Sequence, residues 1–244
     1  VVVAALQLLG ALSVAIGTRQ VGLDDILAGL RGEVGTIAQA AVSARIPRTV
    51  LAALAGASLG LSGALMQGVT RNPLADPGIL GVNTGAALAV VVAVAWFQIS
   101  AAHSFIWVAI CGAGATAVFV YAIGSLGRGG ATPLKLALAG TATSIAFYSL
   151  VVAVMLTRGD IAGGLQAWQI GGVGGATFAR MQPVLPFLAL GLLLAMASAR
   201  KLNSLALGDE MAAGLGERVA VARATAALSA ILLCGATTAV CGPI

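Results

Sequence analysis

Residues 45–85 read RIPRTVLAALAGASLGLSGALMQGVTRNPLADPGILGVNTG. From Pro47 to Val69 this stretch contains a single charged side chain, Arg48. A helix needs roughly 20 apolar residues to cross a bilayer, so the stretch predicts a membrane span. Pro73 and Pro77 follow, and because two prolines interrupt a continuous helix, they predict a turn before the next span.

The composition of the whole chain predicts the same environment. Of its 244 residues, 59% are hydrophobic and 9% are charged, and the mean hydropathy is +1.03. Soluble domains carry about 25% charged residues, and the few charges here cannot supply a polar shell. The bilayer is therefore the expected solvent. Since irregular backbone is not tolerated facing lipid, an all-α transmembrane bundle is expected.

Seven apolar stretches predict the spans of this polytopic bundle. They are residues 1–18, 47–69, 79–98, 105–126, 134–157, 183–199 and 222–240. Small residues recur at a four-residue step in the second and third stretches, as Gly56, Gly60, Ala64 and Gly68, and as Gly81, Gly85, Ala89 and Ala93. Such stripes let helix backbones approach closely and indicate a packed bundle, without indicating a substrate.

Basic residues do not settle the orientation of the bundle. With the first span running outward, seven lysines and arginines fall on the inner side and six arginines on the outer side. Positive residues normally collect on the cytoplasmic side. The outward arginines therefore need another role.

Several functions lack the residues that they need. The sequence has no GxxxxGK(S/T) phosphate loop, so ATP binding by this chain is not expected. Ion coupling needs buried carboxylates or histidines, and nucleic-acid binding needs basic patches with aromatics. A single histidine, and three cysteines without metal-ligand spacing, predict no metal site. We therefore expect neither an enzyme, a bound cofactor nor a nucleic-acid partner.

The motifs of residues 45–85 closely resemble those of permease subunits of ABC importers for ferric siderophores, haem and cobalamin. In that family an (R/L)-x-P-R start, a Gly/Ala-rich helix, an S-G-x-x-x-Q segment and an N-P-L-A-(D/E)-P-x-x-L-G turn follow in this order, as they do here. The resemblance implies a ten-span fold, of which about seven spans are present, so we expect a fragment. It also implies one permease domain over residues 1–244, in the bacterial inner membrane as a multi-pass protein.

An outer docking site is implied at Arg45 and Arg48. These arginines flank Pro47, which favours a first helical turn, so both guanidiniums are predicted to project from one helix mouth. By resemblance, the pair docks acidic residues of a soluble substrate-binding protein. The alternative is a pair of interfacial anchors with snorkelling side chains.

A cytoplasmic gate is implied at the turn that follows the same helix. Asn72 and Leu74 match the gate positions of the family. A second gate element is implied at Thr132, in the turn of residues 130–134, where a plain tight turn is the alternative reading.

Residues 205–216, LALGDEMAAGLG, resemble the coupling segment of the family, L-x-L-G-(D/E)-x-x-A-x-x-L-G, which lies in a cleft of the ATPase subunit. Leucine and methionine recur at four-residue steps and predict one apolar ridge, while glycines let two short helices meet at an angle. A helix lying on the membrane surface is the alternative. The implied coupling residues, within a cytoplasmic segment 200–221, are Leu207, Gly208, Asp209, Glu210, Met211, Leu215 and Gly216.

A short outer helix is implied around Trp168. With Gly171 and Gly172, this tryptophan matches the W-x-x-G-(G/S) pattern of the family, which implies a place for Trp168 at the outer mouth. An ordinary tryptophan of the interfacial belt is the alternative.

Together the resemblances imply a permease subunit with several partners. These are a separate ABC ATPase, a soluble binding protein, a second permease copy, identical or paralogous, and membrane lipid. A ferric siderophore is the expected cargo, with haem and cobalamin as alternatives. Two other classes stay open: a secondary transporter, which needs an essential intramembrane carboxylate, and an assembly subunit, which needs no coupling segment.

Overall fold

The computed structural model describes residues 1–73, 75–99, 102–127 and 132–243. Within these ranges every regular element is helical, which confirms the all-α prediction. The helices are α1 (Val2–Ala15), α2 (Leu23–Leu30), α3 (Ile37–Thr70), α4 (Val82–Phe97), α5 (Ala102–Ser125), α6 (Pro133–Thr157), α7 (Gly159–Gln169), α8 (Phe178–Met181), α9 (Leu185–Ala206), α10 (Asp209–Gly214) and α11 (Val219–Cys241). Short 3-10 turns lie at Pro77–Leu80 and Gln182–Val184.

Each predicted span corresponds to an apolar helix, but not every helix has the predicted length. Among the described residues, five helical stretches are long and apolar enough to cross a membrane: Ile37–Thr70, Ser104–Ser125, Leu134–Thr157, Phe178–Ala206 and Val219–Cys241. The apolar helices α1 and α4 have only 14 and 16 residues. The predicted start of the third span at residue 79 is wrong, because Pro77–Leu80 forms a 3-10 turn and Gly81 is left-handed, with φ 70°.

The start of α3 also differs from the prediction. This helix begins at Ile37 rather than near Pro47, and Pro47 is a buried residue in its interior. The reason is a capping box: the Thr36 hydroxyl accepts from the Gln39 N–H, and the Gln39 side chain accepts from the Thr36 N–H, both at 3.2 Å. Such reciprocal bonds satisfy the free N–H groups of a first turn, so the helix starts in polar sequence.

The end of α9 lies beyond the predicted boundary at residue 199. The helix continues through Arg200 and Lys201 to Ala206 and stops before Gly208, whose φ is 109°. Charged side chains end the apolar run at this point. They do not end the helix, because arginine and lysine have good helix propensity.

The described chain comprises two compact units, and the boundary falls inside α3. The first contains Val1–Gly56 with Val173–Gln182, and the second Ala57–Gly172 with Pro183–Ile244. In the first unit Ser13 and Thr49 share a hydrogen bond of 2.8 Å. The prediction of a single permease domain stays a prediction.

The second unit has its core where α11 packs against α4, α5 and α9. Small residues make these contacts close. A Cβ at Gly112 of α5 would overlap Ala89 and lie 2.7 Å from the Gly85 carbonyl oxygen, and a Cβ at Gly191 of α9 would lie 2.8 Å from Leu233. The Ser229 hydroxyl donates to the Gly191 carbonyl at 2.6 Å. Backbone proximity of this kind is how membrane helices associate.

The two predicted small-residue stripes behave differently. In α4, Gly85 and Ala89 pack against α5 as described above. In α3, a Cβ at Gly56 or Gly60 would meet nothing within 4 Å among the described residues. A Cβ at Gly68 would lie 3.4 Å from the Leu202 side chain of α9.

The close packing of Gly112 predicts a stability difference between two glycines of one helix. Gly112→Ala should lower the free energy of unfolding by about 1–3 kcal/mol because it overpacks the α4–α5 contact. Gly114→Ala should be neutral or stabilising, since its Cβ would meet open space and alanine has the higher helix propensity. Thermal unfolding of both variants in one detergent tests this, and equal midpoints would contradict the packing.

Candidate functional site

One carboxylate joins three helical elements of the second unit. Asp209, the first residue of α10, accepts hydrogen bonds on its Oδ1 from Arg71, directly after α3, and from Arg223, in α11, each at 3.0 Å. We call Arg71, Asp209 and Arg223 the ion triad. Their side chains are 41%, 42% and 38% exposed. Asp209, predicted as a coupling residue, therefore has partners within its own chain.

The ion triad contributes more to the position of α10 than to the free energy of unfolding. Partly exposed ion pairs contribute about 0.2–1 kcal/mol each. Arg71 has φ 51°, a left-handed conformation that costs a non-glycine residue roughly 1–2 kcal/mol. The two contributions nearly cancel, so the gain is a defined position for α10 beside the end of α3.

The segment after α9 contains two sharp changes of direction. Gly208 and Gly216 have φ values of 109° and 86°, a region that glycine adopts without steric cost. Between them α10 is a six-residue helix, and the Gly216 N–H donates to the Ala213 carbonyl at 2.9 Å, which closes the helix end. The prediction of two short helices is wrong in number: this segment has one short helix, α10, because α9 continues to Ala206 and α11 begins at Val219.

The same segment has one buried side and one exposed apolar side. Leu205 and Ala212 are buried in a small cluster at the ends of α9 and α11. Leu207, Met211 and Leu215 are 63%, 62% and 66% exposed, and we call them the apolar ridge. Exposed apolar ridges mark protein or membrane contacts, so the predicted coupling role stays a prediction with a suitable surface.

The turn after α3 is held by its own backbone. The Ala75 N–H donates to the Asn72 carbonyl at 3.1 Å, and the Asp76 carboxylate accepts from the Gly78 N–H at 2.6 Å. This Asx-type bond shapes the turn before α4. The gate role of Asn72 stays a prediction, and Leu74 lies outside the described residues.

Thr132 caps α6. Its hydroxyl accepts from the Lys135 N–H at 3.4 Å, and Pro133 follows as the first helical residue, a common N-terminal arrangement. Residues 130–131 of the predicted second gate element lie outside the described residues. The gate role of Thr132 stays a prediction beside this structural one.

Arg45 in the first unit caps the end of α1. Its guanidinium donates to the carbonyls of Val14 and Ala15 at 3.0 and 3.2 Å, and to that of Arg19 at 2.9 Å. Cations at a helix C-terminus satisfy free carbonyls and complement the helix dipole. Arg45 therefore has a structural role within this unit.

The prediction that both arginines project from a helix mouth is wrong for Arg45. The reason is the early start of α3, which puts Pro47 in the helix interior. A Cβ at Gly17 would overlap the Arg45 guanidinium, so a larger residue at this position would displace the end of that side chain. Arg48 is exposed, and the docking role of Arg45 and Arg48 stays a prediction.

Trp168 ties α7 to the end of α11. Its indole N–H donates to the Ala239 carbonyl at 3.3 Å, and the Gly172 N–H donates to the Cys241 carbonyl at 2.7 Å. A Cβ at Gly242 would overlap the Trp168 carbonyl oxygen. The W-x-x-G-G pattern thus has a packing role, and the outer-mouth role of Trp168 stays a prediction.

A cavity of about 430 Å³ with a wall of mixed apolar and polar residues adjoins α7. Thr84 of α4, Tyr148 of α6, and Gln166 and Gln169 of α7 contribute hydrogen-bonding side chains to its wall. Two amides and two hydroxyls offer both donors and acceptors. The rest of the wall is apolar and includes Ala87, Val151 and Ile170.

Arg158 fixes the link between α6, α7 and α4. Its guanidinium donates to the Ala95 carbonyl at 2.6 Å and to both Asp160 carboxylate oxygens at 3.0 and 2.9 Å. The Arg158 hydrogen bond lowers the pKa of Asp160, and Asp160 in turn raises the pKa of Arg158. Bidentate pairs of this kind define orientation as well as attraction.

Sequence reasoning missed Arg71 and Arg223 as functional positions. The signal was indirect: Asp209 belonged to a coupling motif, and its partners lie 138 residues before it and 14 after it. Residues so far apart in sequence form no local motif that would predict their pairing.

Comparison with known proteins supports the helical fold and then identifies the family. The helical fold is similar to a solved structure described as an inward-facing metal-chelate type ABC transporter, with a TM-score of 0.70 and 24% identity, covering 100% of this chain and 76% of that one. Residues 5–244 match the model of the FecCD transport family. The chain belongs to the FecCD transport family, which confirms the resemblance seen in the sequence.

Three similar proteins show which members of the family the chain resembles in sequence. The chain is 44% identical over 200 residues to the iron(3+)-hydroxamate import system permease protein FhuB of Bacillus subtilis (strain 168), covering 82% of this chain and 52% of FhuB. It is 39% identical over 236 residues to the ferric enterobactin transport system permease protein FepD of Escherichia coli (strain K12), covering 96% and 70%. It is 36% identical over 225 residues to the Fe(3+) dicitrate transport system permease protein FecC of the same strain, covering 91% and 68%. The chain thus spans about half the length of FhuB and about two thirds of the other two.

Proposed function

We propose that the chain forms the membrane pathway of an ABC importer for an iron(III)-siderophore. A soluble binding protein delivers the chelate, a second permease copy completes the pathway, and a separate ATPase drives it, in a bacterial inner membrane. The proposal rests chiefly on the exposed apolar ridge, which the ion triad holds in place. It is supported by membership of the FecCD transport family.

The apolar ridge suits an ATPase partner better than a lipid surface. Leu207, Met211 and Leu215 are all exposed in and beside α10, while Asp209 and Glu210 put two carboxylates in its first turn. Carboxylates are repelled by anionic headgroups, whereas a protein cleft can accept both charge and apolar contact. Movement of a partner at this ridge would reach the end of α3 through Arg71.

The relatives favour a ferric chelate as the cargo. Those named above are permeases for iron-hydroxamate, ferric enterobactin and ferric dicitrate, and all three cargoes present many oxygen atoms. The cavity beside α7 offers a few amide and hydroxyl groups to such a ligand within a mainly apolar wall. Transport needs weak contacts that differ between two conformations rather than tight binding in one.

Leu207→Asp should uncouple transport from ATP hydrolysis. A charge on the apolar ridge would meet an apolar partner surface without a counter-ion, so we expect at least a tenfold loss of ATPase stimulation by a loaded binding protein. Stimulation is measured in lipid with the full permease, its ATPase and a ferric-siderophore-loaded binding protein. Ala206→Asp adds the same charge beside the ridge and should keep most of the stimulation.

Equal stimulation in Leu207→Asp and wild-type permease would contradict the coupling role of the ridge. If no loaded binding protein stimulates ATP hydrolysis by a well-folded complex, the importer proposal itself fails. A secondary transporter or an assembly subunit would then be the better account.

Arg48→Glu should weaken capture of the binding protein and leave basal ATP hydrolysis unchanged. Arg48 is exposed, and reversal of a charge at a docking surface acts mainly on the association rate, which we expect to fall about tenfold at low salt. Binding kinetics on immobilised permease measure this. Arg31→Glu reverses another exposed arginine of the first unit, and an equal effect of the two variants would contradict a specific dock at Arg48.

A further inference from the structure

A second cavity of the second unit has an apolar body and a cationic end. It has a volume of about 710 Å³, within the range of small-molecule sites. Arg71 and Arg223 line it at one end. The apolar walls include Met66 and Val69 of α3, Ala117 of α5, and Ala227, Leu228 and Ile231 of α11.

The cationic end carries more positive than negative charge. Both arginines share a single carboxylate, Asp209, and both bond to the same oxygen. Two guanidiniums against one carboxylate leave one net positive charge in the ion triad. An occupant of this end should therefore carry a negative charge.

Arg223 has an unused hydrogen-bond donor. One of its terminal nitrogens binds Asp209, but its Nε–H is buried and has no acceptor among the described residues. A buried donor without an acceptor is unfavourable, and arginine forks bind phosphate groups with two parallel bonds. Because that Nε atom is buried, an occupant of the cavity meets the partly exposed parts of the two guanidiniums instead. Planar guanidiniums suit an oxyanion better than a neutral polar group.

The ends of two apolar helices meet at this cavity. Its cationic end is formed where α3 ends and α11 begins, and both helices are long and apolar enough to span a membrane. Helix ends of spans lie near the bilayer interface, and basic pockets between such helices bind anionic headgroups. The apolar walls continue from this end between the helices, where an acyl chain can lie.

We infer that this cavity binds an anionic phospholipid, with its phosphate at Arg71 and Arg223 and one acyl chain against α3 and α11. The lipid supplies the charge that Asp209 leaves unbalanced. It lies directly behind the residue that positions α10. The inference concerns the second unit alone and does not depend on the cargo.

The test compares two lipids and a free anion on the full permease chain in detergent. Native mass spectrometry is used to measure retention of phosphatidylglycerol and of phosphatidylcholine with the same acyl chains. We expect at least fivefold greater retention of phosphatidylglycerol, the effect of about one cationic contact. Equal retention of the two lipids would overturn the inference. Inorganic phosphate at millimolar concentration should not raise the unfolding temperature, and a rise as large as that with phosphatidylglycerol would show a site for free anions instead.

Variants separate the cavity from the charge. Ala224→Phe fills the cavity and leaves the ion triad intact, so phosphatidylglycerol retention should fall at least fivefold. Ala199→Phe adds the same ring to an exposed position of α9 and should retain the lipid as the wild type does. Undiminished retention in Ala224→Phe would contradict an acyl chain in this cavity.

The charge is tested at Arg223. Arg223→Gln should reduce the preference for phosphatidylglycerol over phosphatidylcholine to about twofold or less, whereas Arg218→Gln, at an exposed arginine, should keep it. If Arg223→Gln does not fold, the Ala224→Phe result decides alone. An unchanged preference in folded Arg223→Gln would overturn the inference.

Discussion

The Asp209 carboxylate is the constraint on which the candidate coupling site depends. It bonds both to the residue after α3 and to α11, and it begins the helix that presents the apolar ridge. Each ion pair is partly exposed and weak by itself. Their value is geometric, because two donors on one oxygen leave α10 little freedom relative to either helix. A ridge of three exposed apolar side chains needs such an anchor to keep one orientation.

The ion triad connects the apolar ridge to the closely packed helices of the second unit. The turn after α3 leads directly into α4, whose glycines and alanines pack tightly on α5, and α11 lies at the centre of the same core. A displacement of α10 would therefore reach densely packed helices rather than a loose loop. Close packing transmits such shifts because interiors of this density have two discrete arrangements more readily than a continuous range. The cavity beside α7 borders α4 as well, and also α6.

Sequence patterns predicted the fold well where the residues of a single helix carry the signal. Apolar runs located all seven apolar helices, and glycines located the bends at Gly208 and Gly216. The start of α3 was missed because the Thr36–Gln39 capping box lies in polar sequence, although its T-x-x-Q pattern was visible. The structural roles of Arg45 and Trp168 were missed for another reason. Their partners are backbone carbonyls of distant helices, and carbonyl positions leave no trace in side-chain patterns.

The central claim is that Arg71 and Asp209 act as one interaction to hold α10. Amide hydrogen exchange across residues 205–216 tests it in the full permease, with Arg71→Gln, Asp209→Asn and the double variant. The account predicts faster exchange in each single variant and no further increase in the double variant over Asp209→Asn, because both changes remove the same contact. Independent and additive increases, or exchange unchanged in Asp209→Asn, would contradict it.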